Sequence, residues 1–455
     1  MHLSTVLGAL VSDTKTRTLP ADVTSVAKKV FLDCLGSAIG GSRTPAAQAI
    51  QKHITETQAT GQCTIIGFTL RAIPEHAALA NGAAAHALDI DDTNKTMSGH
   101  PSVAILPVTL ALGETLGSSG EEVLTAYVLG FEVEAKVGKL VNPSHCDLGW
   151  HTASTLGTLG AAAAACYMLR LPGEQASRAI GIAASMACGI AGNFGSMVKP
   201  LHAGLGARNG VLAAGLARAG LTSQTTAFEA PMGFFRAFAG LDAPTDLGQF
   251  KHTFGNPYDI LRPGTDIKLY PSCNLTHCAI DGVLDLIESR PEVTAESVQR
   301  ILCATGRDIP YRILHLPRTA DEGRFSLEFC LATALDKRQV LLSHFSDSAV
   351  VDPRMVSLMR RCEITEDPVL AREGRFGFAT SVTLELRDGT RLSTVVERPK
   401  GSAERPLTTD ELHSKFTSLA SKVLADDAVK HTLEAVQNLE RLPDIRDLTQ
   451  YLQVD

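Results

Sequence analysis

The feature that most constrains this chain is an uncharged stretch from Leu148 to Leu169, which carries three Thr, one Ser, three Gly and the alanine run Ala161–Ala165. A stretch of that length can cross a bilayer, but a spanning helix is built from predominantly apolar residues. Here His151, the hydroxyls and the glycines break the apolar run. The stretch reads instead as a buried or site-lining helix, packed so closely that its neighbours approach over methyl groups and bare Cα atoms. Such a helix needs helical partners of the same small-residue kind.

The flanking sequence supplies them. After Asp22, a candidate N-cap, apolar residues recur at three- and four-residue intervals (Val26, Val30, Phe31, Cys34, Leu35, Ala38) until Gly40-Gly41. The same grammar predicts helices over 46–58, 75–88, 101–116, 121–141, 152–169, 172–187 and 202–219. Near Thr265 the pattern changes: 297–304 reads as a strand, 325–335 as a helix, and 382–396 as a hairpin turning on Asp388-Gly389. From Thr409 to Leu452 helical periodicity returns. The expected fold is therefore mainly α with a smaller α+β domain: an all-helical domain over 1–265, completed by 405–455, and an α/β domain over 266–404.

Composition excludes several classes. With 42 Lys and Arg against 49 Asp and Glu, and no basic run, the chain offers no surface for nucleic acid. The N-terminus has no basic residues ahead of its apolar stretch, so a secretory signal is not expected. Ten scattered cysteines without C-x-x-C spacing read as free thiols in a reducing compartment, the cytoplasm.

Four segments carry candidate chemistry. In the first, His86, Asp89, Asp91, Asp92 and Thr93 precede Gly99-His100-Pro101. A divalent-metal set of His86, Asp89, Asp91 and Asp92, solvated acids at a helix end, and acid/base work by His100 with one carboxylate all stand open there. In the second, His151 and several hydroxyls open a small-residue helix, which suits an anion or, equally, simple N-capping by Thr152 or Ser154 with His151 at the surface. The third brings Lys199, His202 and Arg208 to a helix start, and the fourth puts Lys268, Cys273 and His277 in one Pro-bent loop. With no phosphate loop, dinucleotide fingerprint or serine elbow, these groups point to cofactor-free and metal-free proton chemistry on a polycarboxylate. Such chemistry needs a base, an acid, and positive charge where an enolate-like transition state develops.

The ordered motifs HALDIDDT, GHPS, GWHTASTLGTLGAAAAA, GSMVKPLHAGLGARNGVLAA, IKLYPSCNLTHCAIDG and RTADEGRFSLEFCLATAL together resemble the MmgE/PrpD family. That family includes 2-methylcitrate dehydratase, cis-aconitate decarboxylase and iminodisuccinate epimerase. The resemblance implies a large helical domain closed by C-terminal helices, a smaller α/β domain, and a homodimer. It also implies that Asp89 and Thr93 line the pocket, that His100 and His151 are its central imidazoles, and that Lys199 and Lys268 clamp carboxylates. His202 and Cys273 join the substrate-binding set, and Tyr311 adds a contact from the smaller domain. Asp89 is expected to orient one imidazole. The Thr93–His100 loop is one residue longer than in the animal decarboxylase, and Cys273 replaces a His of that enzyme. The Leu148–His151 and Asn193–Val211 wording is closer to the epimerase branch. The expected activity is that of a lyase on a small di- or tricarboxylate, most simply a 2-methylcitrate-type dehydratase, with the epimerase and then the decarboxylase as alternatives.

Overall fold

The computed structural model describes residues 2–14, 19–57, 60–242, 244, 247–306, 315–370 and 379–454. They divide into two units, Met1–Ile267 with Thr408–Asp455, and Lys268–Leu407.

The helices of the first unit include α1 (Leu3–Asp13), α2 (Ala21–Gly41), α3 (Pro45–Glu56), α4 (Pro74–His86), α5 (Ser102–Leu116), α6 (Gly120–Val141), α7 (Ser144–Asp147), α8 (Thr152–Met168), α9 (Gly173–Met186) and α10 (Val198–Arg218). Asp22 does not cap α2. Pro20 holds that position, and Asp22 lies in the first turn, accepting from the Val23 amide at 2.9 Å. α10 begins a full turn before His202, because Pro200 falls in the first turn, where a missing N–H breaks no helical bond. The unit is not purely helical: β1 (Thr60–Thr64) pairs with β2 (Arg71–Ala72), and β3 (Thr93–Asn94) with β4 (Thr265–Asp266).

Small residues set how near the helices come. Val103 to Val108 of α5 and Ala161 to Cys166 of α8 are buried. Where α4 meets α10, a Cβ on Gly204 would lie 2.3 Å from the Leu79 carbonyl oxygen. At the α6–α8 crossing, Gly130 and Gly160 each face the other's carbonyl oxygen at distances that admit no side chain. The C-terminal helices Thr409–Ala420 and Asp426–Gln437 complete this unit, the first laying Phe416 and Leu419 over Gly36 and Gly40 of α2. Beside them Lys415 pairs with buried Asp33 and donates to the Ile90 carbonyl at 2.7 Å, tying the chain end to the segment that follows α4.

The second unit carries a four-stranded sheet in the order β6-β5-β7-β8, with β5 (Val298–Thr305) parallel to β6 (Cys362–Glu366) and antiparallel to β7 (Thr380–Leu386). β7 and β8 (Arg391–Val396) form the hairpin, whose Gly389 takes the left-handed φ of 90° that a tight turn requires. Helices His277–Ser289 and Leu327–Lys337 bury Ile280, Val283 and Leu331 in a core with Val298, Ile301, Val382 and Leu384. Among the described residues the ten cysteines form no disulfide. Among the described residues no helix is long and apolar enough to cross a membrane.

Gly204→Ala tests this packing. Its gain in helix propensity, about 1 kcal/mol, is outweighed by overpacking of about 1–3 kcal/mol against backbone that has no room to yield. Urea denaturation should show a lower midpoint, and an unchanged or higher one would contradict the close crossing.

Candidate active site

The site begins where α4 ends. Asp89 takes a left-handed φ of 54°, which a carboxylate side chain tolerates better than most, and the turn carries Asp91 and Asp92 inward until both are wholly buried. Asp91 then meets two imidazoles. Its Oδ2 lies 3.0 Å from His86 Nδ1 and 2.7 Å from His100 Nδ1. Asp89 Oδ1 pairs with Lys199 Nζ at 2.8 Å and with His100 Nε2 at 3.7 Å.

His100 is held from the other side by its loop. Asn94 and Gly99 exchange backbone hydrogen bonds, and Thr152 Oγ1 donates to the Ser98 carbonyl at 3.0 Å. A Cβ on Gly99 would fall 1.9 Å from that hydroxyl, so only glycine lets the loop lie against α8. The Asn94 side chain accepts from the Met97 amide and donates to the Gly264 carbonyl, each at 2.9 Å, and half-buried Thr93 pairs with Asp266.

His151 precedes α8 without capping it and is buried, so neither the surface reading nor capping by Thr152 or Ser154 is realised. Its Nδ1 faces His202 Nδ1 at 3.1 Å, and its ring stacks on His86 with centroids 5.4 Å apart. Phe194 meets His151 edge-on at 4.8 Å, and Lys199 Nζ lies 5.6 Å from the Phe194 ring centroid. Arg208 acts elsewhere, on His76. Lys268, buried, and Cys273, whose amide donates to the Arg324 carbonyl at 2.8 Å, belong to the second unit. Tyr311 lies outside the described residues.

Burial governs the charges. It would raise Asp91, but the two imidazoles reverse this and hold its carboxyl well below the usual range. Burial brings His86 down to about 4, and drives His151 well below the ordinary imidazole value with help from His86 and Lys199. His202 is lowered for the same reason, so it adds no cation beside Lys199 at neutral pH. Asp92 goes the other way, pushed up by burial and by Asp33 and Asp91. Solvated acids at a helix end are thus replaced by one buried anion, one buried neutral acid and one ion-paired carboxylate. The groups that could hold a divalent ion are His86, Asp89, Asp91 and His100, with one ligand atom each within 4.8 Å of one another, so Asp92 leaves the set and His100 enters it. In that set Asp89 already meets the Lys199 ammonium.

Comparison with known proteins follows this geometry. The MmgE/PrpD N-terminal domain matches residues 5–246, which hold the whole imidazole cluster, and the MmgE/PrpD C-terminal domain matches 270–441. The chain belongs to the MmgE/PrpD family. Within it, cis-aconitate decarboxylase of Aspergillus terreus is 29% identical over 97% of this chain and 94% of its own. The cis-aconitate decarboxylases of Mus musculus and Homo sapiens are each 28% identical over 93% of this chain, and over 88% and 89% of their own lengths. This MmgE/PrpD chain is an enzyme of the dehydratase and decarboxylase type, a lyase.

Asp92→Asn tests the charge pattern. A carboxyl whose folded pKa is raised favours folding while it is protonated, so its contribution to stability is full below the ordinary carboxylate range and is lost as pH rises towards the folded value. The variant should gain on wild type by up to about 1.4 kcal/mol per pH unit as pH rises above the ordinary carboxylate range in urea unfolding. A difference independent of pH would contradict a neutral Asp92.

Proposed function

We propose that this enzyme removes the proton next to a carboxylate of a small di- or tricarboxylate, most simply as a 2-methylcitrate-type dehydratase. The observation that carries the reading is His100 Nδ1 held 2.7 Å from the Asp91 carboxylate, which leaves Nε2 as the base beside the Asp89–Lys199 pair. His100 takes the proton, the C–H electron pair becomes the new C=C bond, the β C–O bond breaks with its electron pair leaving on oxygen, and His100 returns the proton to that oxygen, which departs as water. Lys199 sets positive charge against the carboxylate on which negative charge builds. His151, neutral and paired with His202, orients the substrate by hydrogen bonding rather than as a cationic acid. The homodimer and the cytoplasmic setting implied by the family belong to the same proposal, and a single-chain mass in sedimentation would count against the dimer.

Decarboxylation is the second reading, favoured by the name that the Aspergillus terreus, mouse and human relatives share. It uses the same parts in another order: CO₂ departs, its bonding pair stays on carbon, and protonated His100 delivers a proton there. Proton NMR in D₂O with 2-methylcitrate, citrate, cis-aconitate and iminodisuccinate separates the outcomes. Loss of water is expected, loss of CO₂ would move the assignment to the decarboxylase, and deuterium entry without elimination would move it to the epimerase. In every case His100→Ala should lower kcat by about two to four orders of magnitude with the fold intact. Turnover at the wild-type rate would sink the role given to His100.

A further inference from the structure

We propose that His86 and Asp91 form a positioning pair that sets the tautomer and the basicity of His100; this rests on reading His100 as the proton carrier. Neither residue is reached by solvent. Asp91 Oδ2 hydrogen-bonds His86 Nδ1 and lies 2.7 Å from His100 Nδ1 without an aligned hydrogen bond between them, so the anion favours an N–H on the near nitrogen of each ring. His100 is thereby biased towards the tautomer with its lone pair on Nε2. His86 Nδ1 also lies 3.2 Å from Asp91 Oδ1, and its Nε2 is buried with no hydrogen-bond partner among the described residues. A leucine could fill the same space. The imidazole contributes a second N–H, which draws charge away from the oxygen that His100 uses and keeps His100 from becoming too basic to release its proton.

The groups facing His100 come from several elements. Asp89 and Asp91 follow α4, His86 closes it, His151 precedes α8 and Lys199 rides on α10. Asp89 is compensated by Lys199 and His151 is neutral, which leaves the Asp91 oxygen shared with His86 as the adjustable contact.

The pH profile of kcat/KM separates this role from plain packing. Loss of the His86 donor in His86→Leu gives the whole Asp91 charge to His100, so the acid limb should move up by about one pH unit. Asp91→Asn should move the limb down and lower kcat by about a hundredfold or more, because the anion that fixes the tautomer is gone. A His86→Leu limb that stays in place or moves down overturns the pairing, even if that variant is less stable. Should His86→Leu fail to fold, nitrogen-15 spectra of histidine-labelled wild type serve instead. His86 should carry its proton on Nδ1 alone from pH 8 to pH 5, and an Nε2–H or charged ring overturns the pairing. An active His100→Ala would remove the underlying reading, whereas an inactive one with an unmoved His86→Leu limb would remove only this inference.

Discussion

The arrangement around α4 depends on one buried anion. Taking a carboxylate out of water costs several kcal/mol unless its charge is met, and Asp91, fully enclosed, meets that requirement with a hydrogen bond from His86 and the His100 imidazole 2.7 Å away. The same requirement decides neighbouring states. Asp91 favours an Nδ1–H on both rings, whereas Asp92, next to it, has no imidazole to meet its charge and is pushed up by burial and by Asp33 and Asp91 despite Ser102. Two adjacent aspartates thus shift in opposite directions because one faces two imidazoles and the other faces carboxylates.

The rest of the first unit supplies the rigidity that such an anion needs. Close crossings at Gly204 and at Gly130 with Gly160 leave α4, α6, α8 and α10 little freedom to slide, so the imidazoles on or beside three of them keep their spacing. Lys415, near the end of the chain, holds the Ile90 carbonyl between Asp89 and Asp91 while pairing with Asp33 on α2. Removing that ammonium would break a buried ion pair, which typically costs about 3–5 kcal/mol, and would free the backbone that aims Asp91.

Much of this was legible in the sequence. Three-and-four spacing of apolar residues marked α2 to α6 and α8 to α10 to within about a turn but not α1, and Asp-Gly between alternating runs marked the β7–β8 hairpin. The Gly-His-Pro setting of His100 signalled a fixed loop, and the need for Gly99 has a direct steric cause. The division of labour between Asp89 and Asp91 was not legible. It follows from the left-handed backbone at Asp89, which sequence permits but does not announce, and which turns Asp89 to Lys199 and Asp91 to the imidazoles. The sequence singles out His86 as a candidate metal ligand, but a histidine at the end of an alanine-rich helix has no pattern that marks it as a partner of Asp91. The Lys415 link lies beyond periodicity, since it joins residues hundreds apart in the chain.

The central claim is that Asp91 presents His100 with its lone pair on Nε2, and neutron diffraction of the deuterated protein near neutral pH tests it most directly. The account predicts deuterium on Nδ1 of both His100 and His86, none on Asp91, and a bare Nε2 on His100. Deuterium on His100 Nε2 with a bare Nδ1 turned to Asp91, or a protonated Asp91, would contradict it.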